Sequence, residues 1–170
     1  MPIMLADHIR SKLTELGVEL PTPTPPVGSY VAWKRSGGSI WVSGMVPMAG
    51  GSLLRTGLVG AEVSLEDAQE CARLCAINAL AWLQQATDGF TTVVGVLRLN
   101  GFVASAPGFF DQPKVLNGAS DFLVEVMGDA GRHTRNAVGA AVLPLNAPVI
   151  IDFVFEVADA PKPLWRRRVE

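Results

Sequence analysis

The sequence contains only two cysteines and two histidines, and this scarcity excludes several kinds of site. Two cysteines cannot supply a disulfide framework. Cys71 and Cys75 lie four residues apart in an alanine-rich helical pattern, which predicts two small, buried and unreactive side chains. Because His8 and His133 are the only imidazoles, the sequence argues against a zinc site, and no metal or cofactor is expected.

Charged residues are also scarce, at 18% of the chain against a usual ~25%. The net charge is −2, and the one basic run is three arginines at positions 166–168. A nucleic-acid binder normally carries a basic face, so nucleic acid is not an expected partner. Low charge combined with 49% hydrophobic residues predicts an oligomer that buries apolar surface between its subunits.

The chain has no long apolar run. None approaches the ~20 residues of a membrane-spanning helix, so no membrane partner is expected. The N-terminal segment carries Asp7 and Glu15 and lacks the features of a secretory signal. These absences predict a cytoplasmic protein, and the length of 170 residues indicates one globular domain.

Hydrophobic periodicity predicts an α+β domain with helices on one face of a sheet. The predicted helices cover residues 3–16, 64–87 and 111–126, and the predicted strands cover residues 30–33, 39–46, 93–103, 135–143 and 149–157. The prolines at positions 21–26 predict an extended connector. Gly37 and Gly38 suit a tight hairpin, and the last two strands are expected to form a second hairpin. The other sheet face needs a cover, and a second subunit is the simplest one.

Three stretches of the sequence carry motifs of a known family. They are "YVAWKRSGGSIWVSGMVP" from Tyr30, "RLNGFVASAPGFFDQPKVLNGAS" from Arg98 and "TRNAVGAAVLPLNAPVIIDFVFEVA" from Thr134. Their most specific parts are S-G-x-x-P at positions 43–47 and R-x-x-V-G-x-x-x-L-P at positions 135–144. Together they resemble the YjgF-like family, also called the reactive intermediate deaminases. The N-terminal helix and proline connector resemble a longer subfamily whose members are named endoribonuclease L-PSP.

The resemblance implies a chorismate-mutase-like α+β fold. It comprises a mixed sheet with two main helices on one face and an added N-terminal helix, assembled as a homotrimer with clefts between subunits. We expect an N-terminal helix and connector over residues 1–28, a YjgF-like domain over residues 29–158 and a tail over residues 159–170. The better-understood members are hydrolases that convert enamine or imine intermediates of amino acids to 2-keto acid and ammonia.

The resemblance also assigns roles to individual residues. Arg135 would hold the substrate carboxylate, since the planar fork of arginine binds carboxylates bidentately. Asp152 stands where the namesake deaminases carry a glutamate thought to position water, and a structural aspartate is the alternative. Ser43 would be a second catalytic group. The remaining substrate-binding positions are Tyr30, Gly44, Asn117 and Ala137, the last replacing a cysteine of the well-known deaminases. Each of these could equally be structural.

Other features leave alternatives open. His133 lies near Arg135, but a loop histidine outside the motif is expected to be exposed. Phe109 and Phe110 could close a cleft or pack beneath their loop. On the expected final hairpin, Arg135 and Asp152 would be offset by roughly five residues, or about 16 Å. Both could then serve one ligand only if Asp152 came from a neighbouring subunit.

Three functions follow as hypotheses. The first is a trimeric enamine/imine deaminase. The second is a non-catalytic or regulatory protein that binds a small carboxylate or keto acid in the same cleft. Ribonuclease activity is the third and has the least support, because the sequence offers neither a basic groove nor a histidine pair suited to RNA cleavage.

Overall fold

The computed structural model describes residues 4–158 and confirms an α+β fold. Residue 3, where the first helix was predicted to begin, and the tail with its three arginines lie outside the described residues. The helices are α1 (Leu5–Glu15), α2 (Leu65–Ala86) and α3 (Gln112–Met127). The strands are β1 (Trp33–Ser36), β2 (Ser39–Met45), β3 (Met48–Ala49), β4 (Ser52–Leu53), β5 (Val93–Ala104), β6 (Thr134–Ala140) and β7 (Val149–Val157).

Five strands form one mixed sheet in the order β1-β2-β7-β5-β6, and β3 and β4 form a separate short ladder. The predicted hairpin between the last two strands is wrong, because β5 lies between β6 and β7. The cause is the crossover through α3, which brings β6 alongside β5 in parallel. β7 then pairs antiparallel with β5 on its other side.

The first hairpin was predicted correctly, but its strand was placed too early. Ser36 pairs with Ser39, so Gly37 and Gly38 alone form the turn. A two-residue turn lets strand pairing continue up to the glycines. β1 therefore begins three residues later than predicted, at Trp33. Tyr30, predicted to begin this strand, therefore lies in the segment before it.

Helices α2 and α3 cover one face of the sheet and enclose the core. Ser64 caps α2 as predicted, because its side chain accepts a hydrogen bond of 3.0 Å from the backbone N–H of Asp67. The N-terminal helix α1 adds Ile9 and Leu13 to the same core. Within residues 4–158, no helix combines the length and the apolar character needed to cross a membrane.

Cys71 and Cys75 are fully buried on α2, as the sequence predicted. Burial raises the pKa of the Cys71 thiol to about 11. Burial also raises the pKa of Cys75 well above its usual value. Since the thiolate is the reactive form, neither residue has the properties of a nucleophile.

The opposite sheet face, called the open face below, is not covered by any of residues 4–158. Trp41, Phe102 and Val138 lie on it with 55%, 40% and 46% of their surface exposed. Within residues 4–158 one sheet face therefore lacks a cover, as predicted. Phe102 and Val138 lie on adjacent strands, and Trp41 lies on β2, beyond β7. Exposed apolar side chains that share a sheet face form the kind of patch that a protein partner usually buries.

Candidate functional site

Arg135 reaches from the sheet edge to helix α3. It lies on β6, the edge strand, and pairs with Leu99 of β5. Leu99 is fully buried beneath the helices, and paired residues share a sheet face, so Arg135 also points to the helix side. Its Nη1 donates to Ser120 Oγ at 2.9 Å. Its Nη2 donates to Asn117 Oδ1 at 2.8 Å and to the Pro113 carbonyl at 3.1 Å.

The charge of Arg135 has no acidic partner in the part of the chain that the structure describes. Ser120, Asn117 and Pro113 all offer neutral acceptors, and no carboxylate of residues 4–158 lies within 4.0 Å of the guanidinium. The side chain is half-buried, which weakens the competition from water. A guanidinium has five N–H donors, so these three bonds leave two for an anionic ligand.

Ser120 connects Arg135 to His133. The Ser120 Oγ lies 2.9 Å from His133 Nε2, and His133 Nδ1 lies 2.6 Å from the Gly131 carbonyl oxygen. A carbonyl can only accept, so Nδ1 carries the proton and donates it to Gly131. In the neutral ring Nε2 then accepts a hydrogen bond from the Ser120 hydroxyl.

These groups line one cleft between α3 and the start of β6. Its volume is about 270 Å³, and its lining residues are Asn117, Ser120, Val124, Arg132, His133 and Arg135. Burial lowers the pKa of His133 despite the opposing bond to Gly131, and the positive charge of Arg135 lowers it further. The expectation that this histidine is merely exposed is wrong: the ring is half-buried and neutral at neutral pH.

Tyr30, Ser43 and Gly44 lie far from Arg135 within one chain. Ser43 and Gly44 belong to β2, three strand positions from β6, which at ~4.8 Å per strand is roughly 14 Å. The Ser43 hydroxyl donates to the Val31 carbonyl at 2.7 Å and so fixes the segment that carries Tyr30. Tyr30 is 58% exposed. One chain therefore brings Asn117, but none of these three residues, to the arginine.

Asp152 lies on the open face, opposite to Arg135. It pairs with Asn100, the neighbour of Leu99 on β5, and successive strand residues point to opposite faces. The Asn100 amide donates to Asp152 Oδ1 at 2.9 Å, and Arg98 Nε donates to Asn100 Oδ1 at 2.9 Å. The predicted separation of five residues along a hairpin is wrong, because the two residues are nearly level on either side of β5.

The side chain beside Gly44 is apolar. A Cβ at Gly44 would approach the Ile150 Cγ2 to 2.9 Å, so glycine allows the two strands to pack closely there. Ala137, two residues after Arg135, is half-buried against the core on the helix side. Neither position supplies a titratable group.

The two phenylalanines of the loop before α3 differ in their surroundings. Phe109 packs over Gly60, where a Cβ would lie 3.0 Å from its ring. Phe110 is 84% exposed. Packing beneath the loop therefore describes Phe109, and closure of a cleft by Phe110 stays a prediction.

Sequence reasoning missed Ser120. The signal was present, because Ser120 follows Asn117 by three residues on α3 and such residues share a helix face. Once Asn117 was assigned to the site, Ser120 could have been placed beside it.

Comparisons with known proteins agree with this architecture. Residues 10–157 match a family described as "YjgF/chorismate_mutase-like, putative endoribonuclease". Protein TCP17 of Trypanosoma cruzi is 37% identical over 158 residues, which are 92% of this chain and 99% of that protein. A structure of unknown function from Agrobacterium tumefaciens is 44% identical with a TM-score of 0.84, and the match covers 91% of this chain and 95% of that one.

A more distant structure shares the fold. Escherichia coli TdcF with bound serine is 20% identical with a TM-score of 0.61, over 81% of this chain and 94% of that one. The family match spans most of the chain, and the relative from Trypanosoma cruzi matches it over nearly its whole length. The chain therefore belongs to the YjgF/chorismate-mutase-like family.

Proposed function

We propose that this protein hydrolyses reactive enamine or imine intermediates of amino acids to 2-keto acid and ammonia. The observation that carries the proposal is the half-buried Arg135, held by neutral groups of α3 and without an acidic partner in residues 4–158. A 2-imino acid presents a carboxylate, which is the ligand that such a guanidinium binds best. TdcF, which has the same fold, was solved with serine, an amino acid that also carries a carboxylate.

In this proposal the site is completed by a second copy of the chain. Arg135 and Asn117 lie at the β6 edge, and Tyr30, Ser43 and Gly44 lie on the β1–β2 side of the same sheet. When one edge meets the other edge of the next copy, the contact is heterologous, and it closes into a ring when the rotation between copies returns to the first copy. The family resemblance gives the number three, so the proposed assembly is a homotrimer with three equivalent clefts.

The open face supports this assembly. In a closed ring the exposed Trp41, Phe102 and Val138 would be covered by neighbouring subunits. Burial of apolar area contributes about 25 cal/mol per Å², which favours association. Asp152 lies on this face, so it can join the Arg135 cleft only from the neighbouring subunit.

Ammonia and keto-acid release tests the proposal. An amino acid oxidase would generate imines of several amino acids in the presence of wild-type protein, Arg135→Ala or the matched control Arg55→Ala. Arg55 is paired with Asp67 at the start of α2 and is not among the residues that line the Arg135 cleft. We expect wild type and Arg55→Ala to accelerate release and Arg135→Ala to show no acceleration. Equal release with and without wild-type protein, for every amino acid tried, would exclude the activity.

A second candidate function is the binding of a small carboxylate or keto acid without turnover. The observation that favours it is an absence of carboxylates. Within residues 4–158, no carboxylate lies beside Arg135 or Gly44, and the side chain nearest to Gly44 is that of Ile150. Binding of pyruvate by calorimetry, without release of ammonia from any imine, would support it. RNA cleavage has no comparable support, because a net charge of −2 gives no general attraction for phosphates.

A further inference from the structure

We infer that His133 is the general base of the Arg135 cleft and that Ser120 relays protons to it. This inference rests on the proposed function and adds the group that moves protons. It does not depend on Asp152, which points to the opposite face of the sheet. It instead uses two residues that already lie in the same cleft as Arg135.

The hydrogen bonds around His133 have a defined direction. The Gly131 carbonyl fixes the proton on Nδ1, so Nε2 is the basic atom and faces Ser120. The Ser120 hydroxyl donates to Nε2 and accepts from Nη1 of Arg135. A cationic donor on the oxygen makes the hydroxyl proton easier to transfer towards the imidazole.

This arrangement matches the geometry of an activated hydroxyl. A hydroxyl and a base within about 2.6–3.2 Å, with the base oriented by a third group, is the arrangement found in acid–base and nucleophilic sites. Ser120 and His133 meet the distance, and Gly131 is the orienting group. The low pKa of His133 keeps the base free to accept a proton near neutral pH.

The proposed step conserves atoms and charge. A water oxygen adds to the imine carbon of the protonated substrate, the iminium, and the electron pair of the C=N π bond moves to nitrogen, which becomes a neutral amine. The proton lost by the water passes through Ser120 to His133 Nε2. In the second half, His133 returns a proton to the amine, the C–N bond breaks and ammonia leaves. The electron pair of the C–N bond leaves with the ammonia, the remaining hydroxyl loses its proton to bulk water to form the keto group, and Arg135 holds the carboxylate throughout.

The test compares His133→Gln and Ser120→Ala with His8→Gln, which changes the only other histidine. General acid–base groups contribute roughly 10²–10⁴-fold, so we expect His133→Gln to lower kcat at least ~100-fold. Ser120→Ala should lower it at least ~10-fold, and His8→Gln should match wild type. Pyruvate affinity of His133→Gln should stay within about threefold of wild type, since Arg135 and Asn117 remain.

The pH profile provides a second measurement that needs no variant. Besides His133, the charged groups that face the ring in this cleft are Arg132 and Arg135, and both stay protonated across this range. The wild-type kcat should therefore fall on acidification through the lowered pKa of His133 and be flat above it. His133→Gln should lose this dependence.

Two results distinguish a failure of this inference from a failure of the proposed function. If wild-type protein releases ammonia but His133→Gln keeps its kcat and pH profile, His133 is not the base. If wild-type protein releases none, the proposed function and this inference both fail. If His133→Gln does not fold, a wild-type kcat that stays constant on acidification from neutral pH to the onset of acid unfolding would still overturn the inference.

Discussion

The two faces of the sheet differ in how complete they are within one chain. On the helix side, Leu99 and Phe153 are at most 1% exposed beneath α2 and α3. On the open face, the nearby Phe102 and Val138 are 40% and 46% exposed. The helix side thus stabilises the fold of one chain, whereas residues 4–158 leave the open face exposed. Mutations on the helix side should therefore lower the free energy of unfolding, whereas mutations on the open face should change the association of chains.

The polar groups of the two faces also differ. The helix side has an arginine whose hydrogen-bond partners are all neutral, at the edge of the sheet. The open face has a ladder in which Arg98, Asn100 and Asp152 bond to one another. Neither Arg98 nor Arg135 has a carboxylate within 4.0 Å among residues 4–158, but the ladder of Arg98 ends on the carboxylate of Asp152, whereas the partners of Arg135 include no carboxylate. This difference is the reason why we propose the binding chemistry at the helix-side edge.

The largest effect on folding is expected from Phe153→Ala. Phe153 stacks on Phe155 with ring centroids 6.0 Å apart and has 1% of its surface exposed. Truncating a buried phenylalanine costs about 3–5 kcal/mol. Urea unfolding at a fixed protein concentration should show this loss, whereas Val138→Ala on the open face should lose far less. Equal losses in both variants would mean that the open face is also part of the folding core.

Phe102→Lys is expected to separate the subunits without unfolding them. A lysine on the open face places a charge in the surface that the assembly would bury. Sedimentation should then give the 18.1 kDa of one chain, with a far-UV circular dichroism spectrum like that of wild type. Glu125→Lys, on the exposed side of α3, is the control and should keep the wild-type mass. A Phe102→Lys protein of unchanged mass would show that the open face is not the interface.

Arg135→Ala is expected to weaken carboxylate binding with no change of mass in sedimentation. A hydrogen bond to a charged group contributes about 1.5–3 kcal/mol, which corresponds to roughly 10–150-fold in affinity. Titration of pyruvate by calorimetry measures the loss. Arg135→Lys should recover only part of it, because lysine lacks the planar fork. Unchanged affinity in Arg135→Ala would place the ligand elsewhere.

Mixed assemblies test whether two chains share each site. Tyr30→Ala and Arg135→Ala alter opposite edges of the sheet, so each protein alone should be inactive. After unfolding and refolding together at equal amounts, about one quarter of the clefts would combine an intact Arg135 with an intact Tyr30. Recovery of ammonia release to about that fraction is expected. A mixture as inactive as its components would mean that both residues act within one chain.

The sequence predicted the elements better than their pairing. Helices, most strands and the Gly37–Gly38 turn follow from local periodicity and turn chemistry. The order of β5, β6 and β7 does not, because it depends on the crossover through α3, a contact between distant segments. The error had a direct consequence for the site, since it placed Arg135 and Asp152 on one hairpin.

The candidate site was predicted only where a motif marked it. Arg135 and Asn117 were assigned through the family resemblance, and the structure brings them together at 2.8 Å. Ser120 belongs to no motif, and His133 was set aside as a loop residue. Their bond depends on how the loop after α3 returns to β6, and composition gives no information about that path.

The smallest effect is expected from Asp152→Asn. The new amide oxygen can still accept from Asn100, so the ladder keeps its hydrogen bond of 2.9 Å while losing a negative charge. If proton transfer belongs to His133, turnover should fall less than about tenfold and pyruvate affinity should not change. Because the bond is kept and only its charge assistance is lost, stability measured by urea unfolding should fall by about 1 kcal/mol. A fall in kcat as large as that of His133→Gln, with binding intact, would instead show that Asp152 of a neighbouring subunit reaches the Arg135 cleft. That outcome would make the open face part of the chemistry, and the division between a face that binds and a face that assembles would no longer hold.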